Sequence, residues 1–423
     1  MYVADSRASA PSAPASASGA VRPPAGRRRA AVAPTVLALG TVSLVTDVSS
    51  EMVTAVLPLY LVTGLGLSPL GFGLLDGVYN GFSALVRLAG GHLADRGGGR
   101  HKWVAGAGYA LSALCKPLLL LAHTLTPIGL VLAADRTGKG LRTAPRDALI
   151  SLSSTPETRG RAFGVHRAMD TAGALLGPLV AFLILRATVD GYDAVFTVSF
   201  CVAVLGVLVL VLFVPGGGGR PAPAGKRPTL RAGLGLLRHR DLRRIAVCAL
   251  LLGLATVGDS FVYLLLQRRL GVPDRWFALL PLGTAAAFLL LAMPLGRLAD
   301  RVGRWRVFLG GHGALLLAYG LLLTSWHGTV LPYAVLLLHG TFYAATDGVL
   351  MAAASDSVPE ALRSSGLALV QTGQALTRFA CSLGFGAAWT VWGDRTALAA
   401  ATAALAVCAV FSFTLRPKGT TTV

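Results

Sequence analysis

Charged side chains are scarce: Asp, Glu, Lys and Arg make up 13% of the 423 residues, about half the ~25% of an ordinary soluble domain. Acidic groups are scarcer still, 19 against 38 basic ones. The five cysteines, Cys115, Cys201, Cys248, Cys381 and Cys408, all fall inside apolar stretches without paired spacing. That excludes a disulfide framework and a cysteine-built metal site. No polar segment is long enough to form a nucleotide-hydrolysing domain. Gly138-Lys139 does not complete a phosphate loop either, because Ala133 stands where the first glycine belongs and Gly140 where a hydroxyl belongs. The sequence therefore calls for no cofactor and no metal. What it has in place of charge is hydrophobicity, with 54% of residues apolar, the composition of an integral membrane protein.

Residues 1–34 are rich in Ala, Ser and Pro and read as a disordered cytoplasmic N-terminus. Arg27-Arg28-Arg29 imitates a twin-arginine signal, but no cleavage site follows it. Twelve apolar stretches come next, from 35–62 to 396–415, each near the ~20 residues that a ~30 Å hydrocarbon core demands. A Gly/Pro/Arg-rich cytoplasmic loop, 215–241, separates one set of six at 35–214 from another at 242–416, and 417–423 form a cytoplasmic tail. The loops on the N-terminal side hold most of the Lys and Arg, whereas the opposite loops hold only Arg186, Arg268, Arg269, Arg275 and Arg395. By the positive-inside rule both termini are cytoplasmic. The same distribution accounts for the net charge of +19 without any nucleic-acid partner. The predicted fold is an all-α polytopic membrane protein, with twelve transmembrane helices in two pseudo-symmetric six-helix bundles.

The two halves repeat. After span two comes Gly91-His-Leu-Ala-Asp95-Arg96 with Arg100 following, and after span eight comes Gly296-Arg-Leu-Ala-Asp300-Arg301-Val-Gly-Arg304. A carboxylate at such a helix end can engage a neighbouring helix's amides and a guanidinium together, and so close the cytoplasmic side. Span four contains Arg136-x-x-x-Gly140-x-x-x-Ala144, and span five contains Gly173-Ala-Leu-Leu-Gly177-Pro178. The duplicated loop pattern resembles the signature of the major facilitator superfamily. The span-four pattern is similar to that family's second signature, and the span-five pattern to one enriched in its antiporters. Val180-Ala181 stand where two further glycines often follow. From about residue 35 to 416, the resemblance implies a secondary transporter of two six-helix units. It makes Gly91, Asp95, Arg96, Arg100, Gly296, Asp300, Arg301 and Arg304 a cytoplasmic gate, and Gly173, Gly177 and Pro178 a helix-packing motif.

Charge concentrates where a membrane span should have least. Span four, 127–150, holds Asp135, Arg136, Lys139, Arg142, Arg146 and Asp147, although each ionisable group in a bilayer costs at least ~2.5–3.5 kcal/mol. On a helix of about 100° per residue the six fit an arc of about 140°, a stripe facing the protein interior. Pro145 is placed to kink or end that helix, which leaves a basic cytoplasmic loop as the alternative. Span one, 35–62, carries Asp47, Glu51, Thr54 and Pro58 on one face. A dehydrated carboxylate changes its hold on a proton as an arginine approaches or withdraws. Asp47 or Glu51 against Arg136 is thus the leading proton-coupling pair, with Asp170 of span five as a further acid. A static ion pair that orients helices is the plain structural alternative. His166 reads as a hydrogen-bonding partner or a proton shuttle.

Further polar stripes suggest a central cavity. They comprise Asp76, Tyr79 and Asn80 in span two, Lys139 and Arg142 in span four, and Asp259 and Tyr263 beside Thr256 and Gln267 in span seven. Span ten adds Tyr343 and Asp347 beside His339, and span eleven adds Gln371, Gln374 and Arg378. Together they suit a small organic solute of mixed polarity; singly, each equally suits an interhelical hydrogen bond. The expectation is a monomeric, proton-coupled secondary active transporter of the cell membrane, exporting a small organic compound by antiport. Two alternatives stay open. One is a proton symporter that imports a small anionic solute, held by the excess of Lys139, Arg142 and Arg146. The other is a membrane enzyme acting on a lipid-linked phosphate, which would need an acidic metal cluster or a Ser/His pair that the sequence does not offer.

Overall fold

The computed structural model describes residues 33–96, 101–155, 158–188, 191–216, 240–325, 328–356 and 363–415. The expectations for most of the N-terminal segment, nearly all of the central loop, and the tail lie outside them. Among the described residues the structure is helix and turn, with no strand. The first unit comprises α1 (Pro34–Leu59, closed by a π turn at Tyr60–Gly64), α2 (Pro69–Arg96), α3 (His101–Leu121), α4 (Leu125–Leu152), α5 (Arg159–Ala187) and α6 (Gly191–Phe213). The second comprises α7 (Arg240–Ala255), α8 (Asp259–Leu270), the short α9 (Asp274–Phe277), α10 (Leu280–Val302), α11 (Arg304–Leu323), α12 (Leu331–Asp356), α13 (Arg363–Trp392) and α14 (Asp394–Thr414). Among the described residues nine stretches are long and apolar enough to cross a membrane, with α7–α8 and α9–α10 each forming one. The helices α2, α4 and α13, of 28, 28 and 30 residues, fall outside that count.

Two sequence expectations meet a different backbone. Pro145 neither ends α4 nor opens a loop, since the helix runs through it to Leu152. Span seven, by contrast, is broken between Ala255 and Asp259, where Gly258 is extended at φ −64°, ψ 150°. A break in a membrane span frees backbone groups that need partners. Tyr319 Oη accepts the Val257 N–H at 2.9 Å, and Cys381 Sγ donates to the Thr256 carbonyl at 3.1 Å. Thr256 therefore does not share a continuous helical face with Asp259, Tyr263 and Gln267.

Close helix approach positions the polar side chains. A Cβ at Gly177 would sit 2.7 Å from Glu51 Cβ and 2.9 Å from Met52 N, and one at Gly173 would collide with the Leu44 carbonyl. Only the missing side chains let α5 lie against α1 at the level of Asp47 and Glu51. Pro178 is buried within α5, which continues past it to Ala187. Gly108 and Gly138 serve α3 and α4 in the same way, each facing the other's carbonyl at 2.6–2.7 Å from a built Cβ.

The units meet along α2 and α13. The Leu70 N–H donates to Thr390 Oγ1 at 3.0 Å. Next to it Phe72, Phe261, Phe385 and Trp389 pack with ring centroids 4.9–5.9 Å apart. Phe182 of α5 meets Trp276 of α9 at 5.0 Å. Such aromatic pairs contribute ~0.5–1.5 kcal/mol each beyond their area. All of them lie at the end of the bundle that holds the turns before α2 and after α8.

Candidate functional site

The charged stripe of α4 resolves into three layers. In the first, Asp135 Oδ1 accepts from Lys116 Nζ at 2.7 Å and Ser112 Oγ at 2.5 Å, while Oδ2 accepts from Arg136 at 2.7 Å. The Arg136 guanidinium stacks 3.7 Å from the centroid of Tyr79, whose hydroxyl is 2.6 Å from Thr54 Oγ1. In the second layer, Lys139 stands 3.8 Å from Glu51, and Arg142 donates to Asp47 at 3.2 Å while covering the ring of Tyr109. In the third, Arg146 lies 3.5 Å from Asp170 and 3.1 Å from Asp147 and reaches Ser43, which also bonds His166 Nε2 at 2.9 Å. Arg167 supports Asp170 at 3.4 Å.

This corrects the expected pairing. Arg136 donates to Asp135 and stacks one face on Tyr79, and Glu51 of span one is in its electrostatic reach without forming an ion pair. Asp47 and Glu51 are met one layer along, by Arg142 and Lys139. Arg136 and Arg142 are 6% and 3% exposed, so both are buried cations held by carboxylates and ring faces. The Asp47 and Asp170 carboxyl groups stand in electrostatic reach of each other, between Arg142 and Arg146.

The second unit builds a different wall. Asp259 is the first residue of α8, and its Oδ1 accepts from the Tyr343 hydroxyl and from His339 Nε2, the latter at 3.1 Å. The His339 ring stacks on Tyr343 at 5.4 Å and 11°, and on Tyr263 at 6.1 Å and 30°. Asp347 has Arg378 in electrostatic reach. Where the units face each other, Asp76 accepts from Ser382 Oγ at 2.6 Å, and Asn80 donates to the Asp76 carbonyl at 2.9 Å. A cleft between the units is lined by Thr54, Pro58, Asp76, Tyr79, Leu132 and Ser260.

The remaining expected residues are spread out. Gln371 Nε2 contacts Met351 Sδ at 3.8 Å, and Gln374 is half-buried one turn further along α13. At the expected gate, Asp300 is exposed and meets Arg304 at 3.7 Å within its own turn, and Arg301 is exposed. No neighbouring atom lies near Gly296, so it permits no close helix approach here. Gly91, Asp95 and Arg96 end α2, but their side chains, and Arg100 altogether, lie outside the described residues. Sequence reasoning missed Lys116, whose signal was a lone cation in an apolar span. It also missed Ser382 and Tyr109, for which no local signal exists.

The profile of the Major Facilitator Superfamily matches residues 39–382 and 245–422. An uncharacterised MFS-type transporter of Methanocaldococcus jannaschii is 30% identical over 370 residues, covering 85% of this chain and 89% of that protein. An uncharacterised protein of Mycobacterium tuberculosis is 35% identical over 157 residues, 37% of this chain and 38% of its own. Among solved structures, the nucleoside transporter NupG superposes with a TM-score of 0.76 at 13% identity, covering 90% of this chain and 98% of that one. A bacterial homolog of the human lysosomal transporter Spinster, inward-facing and unoccupied, gives 0.73 at 16% identity, covering 90% and 96%. At such identities these structures establish the fold alone.

Proposed function

The chain belongs to the major facilitator superfamily and is an integral membrane transporter of a small molecule, not an enzyme, and on that premise we propose that it exports an organic compound in exchange for protons. On this reading it is a monomer in the cell membrane, with both termini cytoplasmic. The helices α2, α4 and α13 complete twelve crossings in two six-helix units, 35–214 and 242–416. The two units rock about a cavity at their interface, and the duplicated Gly91–Arg100 and Gly296–Arg304 segments gate its cytoplasmic side.

The observation that carries the proton coupling is the Asp47–Asp170 pair. Two carboxylates held close together repel each other, and a proton taken up between them relieves that repulsion. Arg142 and Arg146 flank the pair from α4. Any motion of α1 and α5 against α4 alters those distances, and with them the hold on the shared proton. The pairing of the α4 cations weakens the anion-import reading, because each cation already faces a carboxylate. The export direction rests on the Gly173–Pro178 pattern, which supports the packing of α5 on α1.

The test is transport in proteoliposomes under an imposed proton gradient, with interior pH followed while candidate solutes are screened. Asp47→Asn and Asp170→Asn should each abolish gradient-driven solute movement while leaving solute counterflow in place. Unchanged gradient-driven movement in both variants refutes the coupling. Solute uptake along with protons into the vesicle, rather than exchange, refutes the direction.

A further inference from the structure

We propose that Asp259 and the rings around it form a subsite for a protonated amine carried on an otherwise apolar solute. The inference deepens the transporter reading and rests on it, but does not require proton coupling. It begins from an imbalance of charge. On the first unit's wall Lys116, Arg136, Lys139, Arg142 and Arg146 each stand against a carboxylate. On the second unit's wall the cation in electrostatic reach of Asp347 is Arg378. Asp259 has no Lys or Arg within ion-pair distance among the described residues; its carboxylate is bonded by a phenol and an imidazole.

Among the described residues that imidazole has a single hydrogen-bond partner. His339 is 1% exposed, and its Nδ1 has no hydrogen-bond partner among the described residues. A doubly protonated ring would bury an unanswered charged donor there, whereas the neutral tautomer donates from Nε2 to Asp259 and keeps Nδ1 as an acceptor. The negative charge of Asp259 is thus braced by its neighbours and not cancelled by them.

Geometry leaves that charge available. Both partners bind Oδ1, and the Asp259 side chain stays 37% exposed although the His339 side chain against it is only 1% exposed. Ser260, the next residue, lines the cleft between the units. At the carboxylate meet the edges of His339 and Tyr343, whose rings stack on each other, with Tyr263 stacked on His339 and Phe342 packed 5.1 Å from Tyr343. A carboxylate with one oxygen open, set beside an aromatic cluster, recognises an ammonium group on an apolar body: the oxygen accepts from the ammonium and the rings pack against the apolar part. An anionic solute would be repelled. A neutral solute would leave the desolvated carboxylate without compensation.

The test uses three probes of one shape on the purified full-length protein in detergent, by titration calorimetry against empty micelles: 2-naphthylmethylamine in its protonated form, 2-naphthalenemethanol and 2-naphthoate. The amine should bind at least tenfold more tightly than the alcohol, and the carboxylate most weakly. Asp259→Asn should erase the amine's advantage while retaining alcohol binding, which also reports a folded site. Should that variant fail to fold, Tyr343→Leu carries the test and should lower the amine-to-alcohol ratio at least threefold. The proposal is overturned if the carboxylate binds as well as the amine, if the amine's advantage survives in Asp259→Asn, or if no probe binds at millimolar concentration. Asp47→Asn separates this from the coupling reading, because it should keep the amine's advantage. Wild type that shows the advantage but no proton-driven movement refutes coupling alone.

Discussion

Replacing Gly177 by alanine tests whether the fit of α1 on α5 holds the proton site together. The added Cβ would lie 2.7 Å from Glu51 Cβ, 2.9 Å from Met52 N and 2.9 Å from the Val48 carbonyl, against ordinary contact from 3.4 Å. Two of the three neighbours are backbone, so α1 must retreat by ~0.5–0.7 Å, and overpacking of this kind costs ~1–3 kcal/mol. The same retreat shifts Asp47 relative to Asp170 and stretches its 3.2 Å contact with Arg142, which weakens steeply with distance. Gly177→Ala should therefore melt earlier and lose at least about tenfold in gradient-driven transport, equivalent to ~1.4 kcal/mol. Gly164→Ala is the control on the same helix. Its Cβ meets nothing within 4 Å, and alanine in an exposed helix interior is favoured over glycine by ~0.5–1 kcal/mol. Melting is read by differential scanning fluorimetry in detergent, and flux in proteoliposomes at equal protein. If Gly177→Ala melts and transports as wild type, or if Gly164→Ala does equal damage, the close-approach argument is wrong.

Lys116→Met should destabilise the fold by ~2–4 kcal/mol, below the full penalty for breaking a buried pair because Arg136 still holds Asp135. In a cycle with Asp135→Asn the two changes should be non-additive, and additivity by thermal melting would remove the pair. Tyr319→Phe should cost ~1–2 kcal/mol, since it strands the Val257 N–H at the break between α7 and α8; an unshifted melting curve would mean that another group satisfies that amide. Arg142→Gln should reduce gradient-driven flux at least about tenfold while counterflow persists, and equal loss of both would make Arg142 a structural cation only.

The sequence carried the class of the fold and the identity of the charged helix, because intramembrane charge and a duplicated loop signature are local features. Pairing was not local. The partners of Arg142, Lys139 and Lys116 come from other helices, so helical-wheel arithmetic on α4 alone could place the cations on one face without showing which acid each one meets. The break in span seven was legible in principle. Val257-Gly258-Asp259 has a glycine before an acidic first-turn residue, a helix-start signal inside an apolar run, but span-length reasoning overrode it. Ser382 and Tyr109 had nothing to mark them, since a serine or tyrosine in an apolar helix becomes informative only once the helix facing it is known.

The duplicated loops hide a division of labour between the walls. In the first unit every α4 cation is matched by an acid on α1, α4 or α5, so little net charge is left to attract a solute. What that wall offers is rearrangement, since moving one helix re-pairs several ions. In the second unit the α7–α8 break presents a single braced carboxylate among rings, an arrangement with little to rearrange and one open acceptor. If protons act on the first wall and solute on the second, the two must be coupled through the contact that joins the units. The described contacts that could serve are α2 against α13, with Asp76 held by Ser382. Asp76→Ala should then leave proton binding and amine binding each in place while weakening the dependence of one on the other. Wild-type coupling in that variant, measured as amine affinity with and without Asp47→Asn, would place the link elsewhere.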